Sequence, residues 1–205
     1  MDIASTLLAF AVVLVSLSIH EWAHAWSADR LGDPTARLLG RVSFNPIVHI
    51  DLIGTIILPL VAMFSGFPIL GWAKPVPVNI SQLRNPKRDF MIVAAAGPIS
   101  NILQAGIAAA IFHAMGGFTQ AGEFGLARVL LMAVQINLLL AVFNMLPIPP
   151  LDGGNVLAGL LPDSMGGVLQ GLRQYGFLIL YGLMLSGILW QLVDPPYDFL
   201  LRLML

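Results

Sequence analysis

The chain alternates between long apolar runs and short polar breaks, and the breaks carry nearly all of its charge. From Ile3 to Ala28 only Glu21 is charged. A bilayer span needs about 20 apolar residues, so this run predicts a membrane helix from Ile3 to Asp29. Leu31-Gly32-Asp33-Pro34 ends it through its Gly and Pro. Residues 30–49 are polar, and Ala36 to Phe44 reads as short strands. Residues 52–70 are apolar again, but Gly54, Pro59, Gly66 and Pro68 interrupt them. That pattern fits either one short span or a re-entrant hairpin. From Gly71 to Asn79 prolines alternate with valines, which suits an extended segment or an edge strand. Further helices are expected from Asp89 to Met115 and from Gly125 to Asn144, with a helical turn from Asn155 to Leu161. A last span is expected from Gln174 to Leu192, stopped by Asp194-Pro195-Pro196, with Tyr197 to Leu205 at the membrane interface.

Composition turns these runs into a class. Of 205 residues, 58% are hydrophobic and 10% charged, and mean hydropathy is +0.86. A soluble domain carries roughly 25% charged residues. The expectation is therefore an α-helical polytopic membrane protein. It has one domain over 1–205, with about four full spans plus a re-entrant or broken segment and short strands near the active site. The net charge of −1 gives no argument for nucleic acid. The first run is expected to stay as a membrane helix rather than be removed as a leader. Met1-Asp2 offers no basic start, although Ala23-His24-Ala25 resembles a cleavage site.

The chain has no cysteine, so disulfides and thiolate metal sites are excluded. A metal would have to be held by His, Asp or Glu. The first run contains His20-Glu21-Trp22-Ala23-His24, an H-E-x-x-H pattern on a helix. Positions four apart share a helix face, so two imidazoles can reach one metal, with Glu21 beside them as a general base for water. The alternative is packed, hydrogen-bonded histidines. A lone carboxylate inside a span, however, is costly without a function or a partner. His49 could add a third ligand, but local hydrogen bonding is its commoner use, and His113 reads as an interface residue. Asn101, Gln135 and Asn137 are expected as buried polar groups within the spans. Between Asn144 and Gly154 three prolines break the chain near the membrane, and Asp152 is the only carboxylate there. Alone it reads equally well as a helix N-cap. Beside His20 and His24 it reads better as the third ligand.

That reading demands that Asp152 and the two histidines lie on one side of the membrane. Residues 30–88 must then begin and end on that side, so 52–70 should dip in and return. The site side would hold Arg30, Arg37, Arg41, Lys74, Arg84, Lys87, Arg88 and Arg173, and the far side Arg128 and Arg202. By the positive-inside rule the site faces the cytoplasm.

With both motifs in view, the chain resembles the site-2 protease family of intramembrane zinc metalloproteases. The resemblance rests on His20-Glu21-x-x-His24, on Asn144-x-x-Pro147-x-Pro149-x-Leu151-Asp152-Gly153, and on Gly97-Pro98-x-x-Asn101. Leu31-Gly32-Asp33-Pro34-Thr35 and Gly71 to Asn79 resemble a compact prokaryotic branch. The resemblance implies one zinc per chain, held by His20, His24 and Asp152, with Glu21 as the catalytic base. Asn144 would contact substrate backbone or the oxyanion, and Asn101 would be structural or substrate-orienting. Substrates would be transmembrane proteins cut in or near their spans within the lipid bilayer of a prokaryotic cell membrane, as in regulated intramembrane proteolysis. No stretch is long enough for the PDZ or CBS domain of some members. An unwound substrate could join the Gly71–Asn79 edge as a strand. The competing functions are a metal or ion transporter, a membrane zinc hydrolase of lipid amides, and an inactive scaffold.

Overall fold

The computed structural model describes residues 3–58, 61, 71–117 and 125–205. Three of its helices are each long and apolar enough to cross a membrane: α1 (Ile3–Leu31), α2 (Pro86–Ala114) and α3 (Leu126–Asn144). A short α4 (Asp152–Leu160) follows, and then α5 (Gly166–Leu185) and α6 (Ile188–Met204).

The ends of the long helices follow from their sequences. At the end of α1, Gly32 takes φ +116, and the Asp33 and Gly32 N–H groups return to Ala28 O at 2.9 Å and Asp29 O at 3.3 Å. This paired closure satisfies carbonyls that would otherwise be orphaned, and it favours Gly at the reversed position. The α2 helix opens on Pro86, whose missing N–H costs nothing in the first turn. Asp89 reaches back to the Asn85 N–H at 2.7 Å.

The α2 helix is central and packs on α1, α3 and α4. Ala94, Gly97, Ala105, Ala108 and Ala109 on its buried side let neighbouring backbones approach. Large apolar side chains point outward instead, Leu103 and Ile107 each at 62% exposure. In lipid there is no hydrophobic drive between helices, so small residues and interhelical hydrogen bonds do the joining. The α6 helix lies along α3. Leu189 and Val193 pack with Val142 and Leu146 at one end, and Met204 packs near Phe112 and Leu130 at the other. His113 meets Met204 O at that far end (2.9 Å).

Several expectations are corrected. The last span is not one helix from Gln174 to Leu192. It breaks at Gly187, which takes φ +77, and its halves meet at 82°. Pro195 and Pro196 lie inside α6 and do not end it. Packing of Val193, Tyr197 and Leu200 against the bundle outweighs the lost backbone bonds. Among the described residues three helices are long and apolar enough to span, or four spans if the bent pair counts as one, beside an expectation of about four. Among the described residues there are no strands. Thr35–Leu38 is a single helical turn. Gly71–Asn79 has no regular secondary structure: Pro75 and Pro77 deny it ladder donors, and Trp72 N and Lys74 N bond to Gly54 O and His49 O. Gln135 is exposed, because two residues from buried Asn137 is the opposite side of a helix.

The path of residues 59–60 and 62–70 lies outside the described residues. The flanks of this stretch do meet: Trp72 N donates to Gly54 O at 3.1 Å, and Thr55 Oγ1 donates to Trp72 O at 2.8 Å.

The α5 helix seats on the proline turn through Gly176, where an added Cβ would collide with Pro149 O. Gly176→Ala is expected to destabilise the protein by about 1–3 kcal/mol, as overpacking does. Thermal unfolding of the detergent-purified variant measures this.

Candidate metal centre

Two stretches of the chain meet at one point. The α1 helix presents His20 and His24 one turn apart, 3% and 8% exposed. Three prolines between Asn144 and Asp152 turn the chain at the end of α3 and start α4 with Asp152 as its first residue. Its carboxylate makes no helix-capping bond, and the N-cap position belongs to Leu151. Asp152 Oδ2 lies 3.1 Å from His20 Nε2 and 3.4 Å from His24 Nε2. The two Nε2 atoms are 3.0 Å apart. The turn can pack this tightly because Gly153 and Gly154 carry no side chain. A Cβ on Gly153 would strike Met145 O and Leu146 O, and one on Gly154 would strike Pro149 N.

The protonation of the imidazoles follows from their outer contacts. His24 Nδ1 donates to Val93 O at 2.7 Å. That carbonyl lies in the turn of α2 loosened by Pro98, whose ring removes the next backbone bond. His20 Nδ1 donates to Asn101 Oδ1 at 2.6 Å. Asn101 is fully buried, and its amide donates to Asn137 Oδ1 at 2.7 Å. The Asn137 amide donates in turn to Ser16 Oγ and to Ala133 O, each at 2.9 Å. A backbone carbonyl can only accept, so Ala133 O fixes which way Asn137 points. Asn137 then fixes Asn101, and Asn101 fixes the His20 tautomer. Polar bonds between membrane helices are worth only about 0.6 kcal/mol on average. This relay therefore matters more for orientation than for stability.

In their neutral form both rings spend their one N–H outward and turn an Nε2 lone pair inward toward a carboxylate. Asp152 Oδ2 is buried and, among the described residues, has no hydrogen-bond partner apart from the two imidazole edges that face it. Together the three acceptor atoms lie within 4.8 Å of one another. Three acceptors without a proton between them repel, and a cation resolves that repulsion. Two imidazoles and a carboxylate suit zinc, and an outer oxygen on each ring is the usual way such ligands are held. Gly97 completes the cradle: a Cβ there would collide with both imidazole rings.

The other residues singled out from the sequence are distributed differently. Glu21 is next to the pair and buried at 9% exposure. Asn144 ends α3, half-buried, with its amide on Leu140 O at 3.0 Å. Among the described residues no hydrogen bond joins it to the cluster. His49 stands apart, with Nε2 on Ser43 O at 2.8 Å. Ser16, Asn137 and Gly97 did not stand out as parts of a site. The proximity of Gly97 to Asn101 in a single motif was the one available signal.

Residues 113–186 match the model of peptidase family M50. The chain is 36% identical to YwhC of Bacillus subtilis over 93% of this chain and 88% of that protein. It is 30% identical to Rip2 of Mycolicibacterium smegmatis over 94% of this chain and 74% of that protein. Both names describe zinc metalloproteases. No solved structure matches.

Asn101→Leu is expected to weaken zinc binding about 10- to 100-fold, as loss of a ligand's outer partner does. Gly97→Ala is expected to weaken it at least as much. Competition with a chelating dye on the purified variants measures both.

Proposed function

The chain belongs to peptidase family M50, the intramembrane zinc metalloproteases of the site-2 type, and we propose that His20, His24 and Asp152 hold its zinc while Glu21 is its general base. The observation that carries this reading is the convergence of three bare acceptor atoms from α1 and α4, with both imidazole N–H groups already committed elsewhere. When bound, zinc acts as a Lewis acid that brings the pKa of water toward about 7 and polarises a peptide carbonyl. A Glu21 carboxylate oxygen takes the proton of the attacking water and returns it to the leaving amine. Asn144 is the donor for substrate backbone or the developing oxyanion. Asn101 touches no substrate in this reading, because it is fully enclosed and works through His20.

The substrate is a membrane protein whose helix must unwind before a carbonyl is available, since a helix hides its carbonyls in internal bonds. Extended Gly71–Asn79 is the docking edge in this reading. Among the described residues the Val76 and Val78 N–H groups have no partner, which supports it. The basic residues near the site side, from Arg30 to Arg88, favour a cytoplasmic orientation.

Wild type is expected to bind about one zinc per chain. His24→Ala and Asp152→Ala are each expected to lose it. Glu21→Gln should keep the zinc yet lose cleavage of a transmembrane peptide by about 100-fold or more. Metal analysis and cleavage assays on the same preparations check these outcomes together, and zinc retained without Asp152 refutes the ligand assignment. Val76→Pro is expected to slow cleavage with zinc content unchanged, because it removes one donor from the edge. Equal rates for several substrates would remove the docking role.

A further inference from the structure

Two buried charges outside the metal cluster are left without a role by the reading above. Asp33 is fully buried and Arg41 is 6% exposed. Both lie in the connection after α1, and both bond to the extended segment. Asp33 Oδ2 accepts from Asn79 N at 2.6 Å. Its other oxygen accepts from Thr35 N at 3.0 Å, which fixes the carboxylate to its own loop. Arg41 Nη2 donates to Lys74 O at 2.6 Å and reaches Pro75 O at 3.5 Å. The segment is therefore pinned at Lys74 and at Asn79 by side chains of opposite sign. Val76 and Val78 lie between the pins.

The two pins differ in charge and in surroundings. Asp33 works only between loops. Arg41 sits in the field of Glu21: burial lowers the guanidinium pKa from its ordinary value, and the Glu21 carboxylate opposes that. Arg41 Nε is buried without a partner among the described residues. A buried charge is retained at considerable cost unless its surroundings answer it. For Arg41 the bonded answering group is the Lys74 carbonyl, and no ion pair joins it to Glu21 among the described residues.

We propose that Arg41 is a positioning residue, which holds the Lys74–Val78 stretch against the connection after α1 so that a docked substrate is cut in one register. The proposal rests on the reading of Gly71–Asn79 as docking edge. Arg41 touches neither zinc ligand, so its loss should leave the metal in place. A register error of one residue moves every side chain of an extended substrate to the opposite face, so loosening the Lys74 pin should show in where the substrate is cut.

The test uses the full chain in lipid nanodiscs with a transmembrane peptide as substrate. Arg41→Met is expected to keep about one zinc per chain, to raise KM and lower kcat each about tenfold, and to give products cut at more than one bond by mass spectrometry. Arg41→Lys keeps the charge and one donor, and is expected to raise KM about threefold while restoring a single cut. Because the chain has no cysteine, Ala73→Cys with a nitroxide label reports on the segment directly. Arg41→Met should raise the label's mobility without any substrate present, and this readout stands whether or not the peptide is cleaved. Unchanged label mobility overturns the proposal. So does a single cut with wild-type KM in a zinc-loaded Arg41→Met protein, or an activity loss accounted for entirely by lost zinc. If Arg41→Met fails to fold, Arg41→Lys decides alone: wild-type KM together with wild-type label mobility overturns the proposal. An active Glu21→Gln protein would instead refute the general-base reading, a distinct result.

Discussion

Three acceptor atoms held within 4.8 Å of each other, in a bundle with little water to screen them, repel unless a positive charge stands among them. Much of the surrounding structure serves that arrangement. The α1 helix supplies two of the atoms on one face. The proline turn after α3 supplies the third. The central α2 helix gives way with a glycine where a side chain would fill the space, and lends a carbonyl and an amide to the backs of the rings. The relay behind His20 reaches through Asn101 and Asn137 to the α3 backbone, so the orientation of one imidazole is set through a helix that supplies none of the three acceptor atoms.

The bundle divides its work along its length. At the far end, Phe112, Leu130 and Leu138 pack with alanines in an apolar cluster. At the site end, buried carboxylates, imidazoles and a guanidinium replace it, and Asp33, Asp89, His20, His24 and Arg41 each bond to a specific partner. The helices between are joined by small residues and a few polar bonds, and the larger apolar side chains are left for lipid. Polar groups so enclosed add little net stability, but they restrict the bundle to one arrangement.

The two stretches that meet at the candidate site were legible in the sequence because both signals are local: two histidines four apart on a helix, and a carboxylate beside a run of prolines. Helices α1, α2 and α3 were legible to within a few residues at each end, because apolar length is a strong signal in membrane chains. The end of the last span was misread because Asp194-Pro195-Pro196 is a stronger local stop than Ser186-Gly187, and only packing against α3 reverses that order. The strands were misread because alternating valines and prolines suggest an extended backbone but cannot say whether a partner edge exists. Gln135 looked like Asn137 in a one-dimensional reading and points the other way in three. The links from Ser16 to Asn137 and from Arg41 to Lys74 join residues far apart in the chain, and no spacing rule announces them.

Asp152 follows His24 by about 130 residues, and a ribosome adding about 5–20 residues per second needs roughly 6 to 26 s to cover that distance. During that interval α1 is already made and its two imidazoles lack their third companion. The groups that first meet them, Val93 O and Asn101, belong to α2, which is made earlier. The histidines can therefore be oriented before the carboxylate exists. Biogenesis then has a natural order: α1 and α2 dock, α3 fixes the Asn101 amide and with it the His20 ring, and the site closes when the turn after α3 arrives.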